Sequence, residues 1–287
     1  MRSREGFDIV SAARCKSVCL MLGPYRNLST LTAATLFLHP QCQVLNHAGD
    51  RVFGGECDFL SDCSSRGIDR FIRGAIEMSA GGLRGDHGGS ITLSHAFDPP
   101  HRMRALFERS GLPLVKHDIR GLLWKESHRT ANLIRERGVD LATLLAADTR
   151  PRFLLPIRHP LDCAVSNIHT RHVRHFKAVA DPTDVGEVCE AVLDEIRWVM
   201  DLAERFPGRF FHFYEHSIGD RMLVDLETFL ELDHDERWLA LAREAMSPSS
   251  RHDHPAALVD RYRAAVQARF AEYPGTTAKL LAFVAPA

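Results

Sequence analysis

No charge of one sign dominates this sequence: 36 Lys and Arg stand against 37 Asp and Glu among 287 residues, a formal net charge of -1. A global field drawing the chain to nucleic acid or to an anionic membrane is therefore not the default expectation, and any anion site has to be local. Nowhere does an apolar run approach the roughly 20 residues of a membrane span. The stretch from Ser17 to Leu22 is too short, and too closely preceded by Lys16, for a secretory core, so a cytoplasmic protein without a membrane segment is expected. Cysteines number seven and form no C-x-x-C pair, which argues against a zinc array and for reduced, mostly buried thiols.

What is present is an alternation of apolar runs with helical patterns. Lys16 to Gly23 reads as a buried strand ending in glycine, Ser29 to Leu38 as a helix stopped by His39-Pro40, and Cys42 to His47 as a second strand. From Arg51 to Phe97 glycines interrupt one helix, Ile68 to Ala80, as in an insertion of mobile loops. Further on, strands are expected at Leu112 to Lys116, Arg152 to Arg158 and Phe210 to Tyr214. Helices are expected over Pro100 to Ser110, Ser127 to Arg137, Pro160 to Phe176, Val185 to Phe206, Asp220 to Leu230, Asp235 to Met246 and Ala256 to Tyr273. Such alternation implies one α/β domain over residues 1–287, a central parallel sheet flanked by helices in three layers, with the Gly-rich insertion around 51–97.

Gly23-Pro-Tyr-Arg-Asn-Leu-Ser-Thr30 lies between the first strand and the first helix, where backbone N–H groups and the helix dipole attract phosphate or sulfate. Laid on G-x-x-x-x-G-K-[ST], it has Leu28 for the second glycine and Ser29 for the lysine, so the nucleoside-triphosphate lysine is missing. Arg26 offers a guanidinium three residues earlier. This loop resembles the 5'-phosphosulfate loop of the sulfotransferases that use 3'-phosphoadenosine 5'-phosphosulfate (PAPS), with Arg26 on the family's catalytic Lys/Arg and Ser29 and Thr30 on its Thr-[ST] pair. Asn27 and Leu28 depart from the family's Ser-Gly, which puts the loop's backbone angles in question.

A second stretch, Arg158-His-Pro-Leu-Asp-Cys-Ala-Val-Ser166, closely resembles the family's 3'-phosphate motif R-x-P-x-D-x-x-x-S. Pro160 starts a helix and Ser166 lies about two turns along it, so arginine and serine can converge on one phosphate while Asp162 caps or positions Arg158. Phe213-Tyr-Glu215 with Asp220 and Phe229-Leu230 looks like the family's Y-E-x-x-x-x-D…FL segment, which makes Tyr214 either a pocket residue or a core aromatic. Leu123-Trp-Lys-Glu-Ser127 is similar to a K-[ST]-P segment of bacterial and Golgi-type members, which puts Lys125 at the reacting centre. The terminal R-K-G-x-x-G segment of the cytosolic animal enzymes is absent, so Arg251 is the substitute considered.

The resemblance implies a P-loop-like fold and in-line transfer of a sulfuryl group from PAPS to a hydroxyl or amine. Arg26, Asn27, Leu28, Ser29, Thr30, Arg158, Ser166 and Tyr214 would hold the nucleotide, and no metal is required. The acceptor must lose a proton to a general base. His47, near the end of the second strand, is the first choice, because an unperturbed histidine titrates near working pH; Asp50, Glu126 and His117 are the competitors. His169, His172 and His175, spaced by three, match no i, i+4 ligand pair and read as a solvated basic face. Arg251 to Pro255 reads as a polar loop, and Gly81 to Phe97, with Arg84, His87, Ser94 and His95, as a gating or acceptor loop hinged by glycine. A small-molecule, carbohydrate or lipid acceptor is the expected partner, and nucleic acid is not. The rival readings are a P-loop kinase or NTPase, disfavoured by Ser29 at the lysine position, and a non-catalytic nucleotide-binding protein.

Overall fold

The structure, a computed structural model, describes residues 14–84, 87–177, 179–246 and 253–285. Six strands, β1 (Ser17–Met21), β2 (Cys42–Asn46), β3 (Gly89–Ser90), β4 (Gly121–Lys125), β5 (Pro151–Ile157) and β6 (Phe210–Tyr214), take the order β3-β2-β4-β1-β5-β6. β1 pairs in parallel with β4 and β5, β2 in parallel with β4, and the two-residue β3 runs antiparallel to β2. The fold is α/β and P-loop-like: the buried central strand β1 passes through a glycine turn into the helix α1 (Ser29–Phe37). Among the described residues no helix is long and apolar enough to cross a membrane, and all seven cysteines are free, five of them buried.

Contacts divide the chain into two compact units. The first takes its described residues from Met1–Leu22, Ser29–Leu154 and Gly219–Ser247, and the second from Gly23–Leu28, Leu155–Ile218 and Pro248–Ala287. In the first, β1, β2 and β4 are buried along their whole length, as their unbroken apolar runs require. Helix α2 (Ser65–Ser79) starts where the Ser64 hydroxyl accepts the Gly67 N–H at 3.0 Å. It buries Ile68, Phe71, Ile72, Ala75 and Ile76 on one helical face, and contacts β2 and β3. Burial of each large side chain on that face contributes roughly 1.5–3 kcal/mol. The unit is completed by α3 (Met103–Ser110), α4 (Ser127–Arg137), α5 (Leu141–Ala147), α8 (Asp220–Phe229) and α9 (Glu236–Ala245), the last packed on α1 with the Trp238 indole N–H on the Thr35 carbonyl at 2.9 Å.

In the second unit α6 (Pro160–His169), α7 (Val185–Arg205), α10 (Ala256–Arg269) and α11 (Pro274–Leu281) accompany β6 and the end of β5. Asp184 caps α7 through the Gly186 and Glu187 N–H groups. The helix then lays Val188, Cys189, Val192, Ile196 and Val199 into the core against α6 and α10. The expected helix Pro160 to Phe176 stops at His169; a 3-10 turn, His172–His175, follows the left-handed Arg171. The strand expected at Leu112 to Lys116 is absent, and the true strand, β4, begins at Gly121. The reason is the buried Gln43 side chain: it accepts the Lys116 N–H at 3.0 Å and donates to the Leu114 carbonyl at 3.2 Å, meeting in a loop the polar needs that a sheet ladder would otherwise meet.

Candidate active site

β1 sits where the connections diverge. Its own connection leads to β2 on one side, and that of β5 leads to β6 on the other, beyond the carboxyl ends of the strands. In the second unit this place is filled by the loop Gly23 to Leu28 and by the turn from β5 into α6. Gly23 has a φ of 89°, where side chains are strained, and a Cβ there would lie 2.3 Å from Leu155 Cδ1, which favours glycine. Arg26 and Leu28 are also left-handed, at φ 63° and 61°. Leu28 thus adopts a conformation natural to the glycine of the resembled motif, at a strain of order 1–3 kcal/mol. Residues of opposite hand in succession turn backbone N–H groups toward one side, a nest for anions.

Side chains tie this loop to β5 and α6. Asn27, 1% exposed, donates to the Pro156 carbonyl and accepts the Arg158 N–H at 2.8 Å, bridging the two like a piece of strand. Its amide is therefore structural, leaving only its backbone N–H for a ligand. Asn167 Nδ2 donates to the Tyr25 carbonyl at 2.8 Å, and the Cys163 thiol points at the same oxygen at 3.3 Å. Burial pushes that thiol up to about 12, which leaves it an inert packing group. Arg26 Nε donates to Ser166 Oγ at 2.9 Å across 140 residues of sequence. The Arg26 guanidinium is held below its usual range first by burial and next by the charge of Arg158. Arg158 is 12% exposed, with Asp162 Oδ2 3.9 Å away.

The first unit carries a separate cluster at the carboxyl ends of β2 and β4. His47 Nε2 lies 3.0 Å from Lys125 Nζ, and His47 Nδ1 lies 3.4 Å from Glu126 Oε1. Glu126, its side chain 3% exposed, also accepts the Gly49 N–H at 3.1 Å, while the Trp124 indole donates to the His47 carbonyl at 2.6 Å. With lysine donating to Nε2, the Nδ1–H faces the glutamate. His47 and Ala48 are both left-handed, at φ 57° and 74°, and Gly88 presses on them so closely that a Cβ there would meet the Ala48 nitrogen at 2.1 Å. Gly82 and Gly89 form an isolated bridge. The glycines expected to act as hinges thus permit close backbone approach beside His47. Arg84 pairs with Asp98, and Ser94 is buried.

The structure brings His47, Lys125 and Glu126 together in the first unit, and Arg26, Asn27, Arg158 and Ser166 in the second. Ser29 and Thr30 open α1. His117 stands four residues before β4, at the opposite end of the strand from Lys125, and is not brought to the cluster. Asp50 is bound to Arg129, which lowers its carboxyl below the usual range. Tyr214 is a core aromatic, 1% exposed, its ring 5.7 Å from His216 and 6.4 Å from Phe283. Arg251 lies outside the described residues, as do Gly85 and Asp86 of the Gly-rich segment. His172 and His175 face the Tyr25 ring at 5.0 and 5.4 Å. Sequence reasoning passed over Asn167, whose only signal is its place one residue after Ser166. It also did not join His159 and Asp162 to His254, which share a cluster of possible metal ligands.

No family model and no curated protein matches the sequence. Among solved structures, the sulfotransferase STF9 from Mycobacterium avium is similar at 16% identity and a TM-score of 0.45, over 94% of this chain and 78% of that one. The sulfotransferase domain of the Synechococcus PCC 7002 olefin synthase is similar at 14% identity and a TM-score of 0.39, over 85% and 92%. Mouse sulfotransferase SULT7A1, solved in complex with PAP, is similar at 10% identity and a TM-score of 0.45, over 98% and 94%. Identities of 10 to 16% and TM-scores below 0.5 say what the chain resembles and leave its activity to be argued from its own residues.

Proposed function

We propose that the chain is a PAPS-dependent sulfotransferase. The observation that carries this reading is the 2.9 Å contact between Arg26 Nε and Ser166 Oγ, which joins the two stretches that resemble the family's phosphosulfate and 3'-phosphate motifs. On this reading Arg158 and Ser166 hold the 3'-phosphate, while Arg26 and the N–H groups of residues 26 to 30 take the 5'-phosphosulfate. The Ser166 hydroxyl can donate to a phosphate while its oxygen still accepts from Arg26 Nε, so both groups can serve one nucleotide together. Charge-assisted bonds of this kind contribute about 1.5–3 kcal/mol each.

Transfer then needs a proton acceptor, and His47 is the candidate. Its Nε2 takes the proton of the acceptor hydroxyl or amine as the new bond to sulfur forms. The sulfur–oxygen bond to the 5'-phosphate breaks, and 3'-phosphoadenosine 5'-phosphate (PAP) leaves with that electron pair. On this reading Glu126 orients the ring through its Nδ1, and Lys125 is the candidate to contact the sulfonate or the acceptor. No step calls for a metal. The acceptor is a small molecule, carbohydrate or lipid bearing a nucleophilic hydroxyl or amine.

The test is incubation with PAPS labelled in its sulfonate, with acceptors from each of those classes. The expected outcome is labelled product whose rate falls in His47→Ala while PAP still binds. Magnesium-dependent ATP turnover without sulfonate transfer would instead point to a kinase or NTPase.

A further inference from the structure

Within the second unit, the start of α6 and the segment before α10 bring three potential ligands together: one atom each from His159, Asp162 and His254, all within 4.8 Å of one another. Nothing in the nucleotide chemistry above uses them as a set. The Asp162 and His254 side chains are only 1% and 7% exposed, with His254 Nε2 2.8 Å from Asp162 Oδ1. The other carboxylate oxygen, Oδ2, is buried and accepts no hydrogen bond; Arg158, the cation paired with it, stands off at 3.9 Å. A buried carboxylate oxygen without a donor is costly, and a metal ion is one of the few partners that would satisfy it. His159 is fixed in place from behind, its backbone N–H on Glu215 Oε2 at 3.1 Å. Its ring lies 5.3 Å from that of His254, tilted by 37°, and stacks on Tyr262 at 6.2 Å, which holds it in place.

We propose that His159, Asp162 and His254 form a Zn²⁺ site. Two imidazole nitrogens and one carboxylate oxygen suit zinc and not the all-oxygen coordination of calcium or magnesium, and they leave a fourth position for water. The positive end of the α6 dipole opposes a cation here, and the Asp162 charge offsets it. The ion ties the segment carrying His254 to the first turn of α6, the helix that carries Ser166 and follows Arg158. Its role is to clamp, so the site stands whether or not the chain transfers sulfonate.

The experiment uses the full chain, stripped with a chelator, dialysed, and titrated with ZnCl₂ against a chromophoric competitor, with bound metal counted by mass spectrometry. One zinc per chain is expected, together with a rise in Tm that saturates at one equivalent. His254→Ala and Asp162→Asn are each expected to weaken zinc binding by more than the roughly 10- to 100-fold that loss of an outer-sphere partner costs. His101→Ala, on an exposed histidine elsewhere, should leave it unchanged. Should the buried Asp162 variant fail to fold, His254→Ala decides alone. Absence of bound zinc in the unaltered chain, or unchanged affinity in His254→Ala, overturns the proposal.

Discussion

The anion cradle of the second unit and the histidine cluster of the first solve opposite electrostatic problems. In the cradle, burial and then the charge of Arg158 hold the Arg26 guanidinium below its usual range, and Asp162 stays 3.9 Å from Arg158. In the cluster, positive and negative groups are interleaved: Lys125, His47 and Glu126 form a chain with contacts of 3.0 and 3.4 Å. A place where two cations meet attracts an anion; a chain of alternating charge passes a proton without a large change in net charge. On the proposed function the cradle binds the nucleotide and the cluster serves the transfer, so variants in the two places should fail differently.

The largest effect is expected in the cluster. His47→Ala should lower kcat by about 10²- to 10⁴-fold, the usual contribution of a general base, with PAP affinity unchanged in calorimetry. A parallel loss of PAP affinity would break the distinction. Gly88→Ala should damage the same cluster indirectly, because the new methyl group meets the Ala48 backbone at a φ of 62° that suits glycine. Overpacking of this kind costs about 1–3 kcal/mol, read as a drop in unfolding free energy in urea, with kcat reduced and PAP binding retained.

Arg158→Ala should do the reverse, weakening PAP by roughly 30- to 150-fold, the equivalent of about 2–3 kcal/mol, while AMP affinity barely changes.

A smaller, shared effect is acid sensitivity. Burial holds His39 in the first unit down to about 4, and burial followed by the Lys279 charge does the same to His212 in the second. Both values lie below the ordinary 6.5, so both rings are neutral in the fold. The stability they permit is full above pH 6.5 and is lost as pH falls from 6.5 toward 4, by up to about 3 kcal/mol for the buried His39. Urea unfolding across that window should be less pH-dependent in His39→Gln. A slope identical to that of the unaltered chain would remove His39 from the account.

Much of the cradle was legible in the sequence because its chemistry is local: Gly23 at a strand end, Pro160 at a helix start, and Arg158 and Ser166 at a spacing a helix brings together. His47, Lys125 and Glu126 were legible as separate candidates, yet their contacts depend on how β2 and β4 pair, which no spacing encodes. The position of β4 was misread because Val115-Lys116 resembles a strand, while the Gln43 amide, 73 residues from Lys116, supplies the hydrogen bonds that keep this segment a loop. The His254 contact to Asp162 spans 92 residues and has no sequence signature. Tyr214, readable from the sequence either as a pocket residue or as a core aromatic, is buried beside the rings of His216 and Phe283.

The most direct test of the central claim is calorimetric titration of the unaltered chain and of Arg158→Ala with PAP and with AMP, which differ only in the 3'-phosphate. The account predicts that PAP binds the unaltered chain far more tightly than AMP and that Arg158→Ala erases the difference; equal binding of PAP and AMP by the unaltered chain would contradict it.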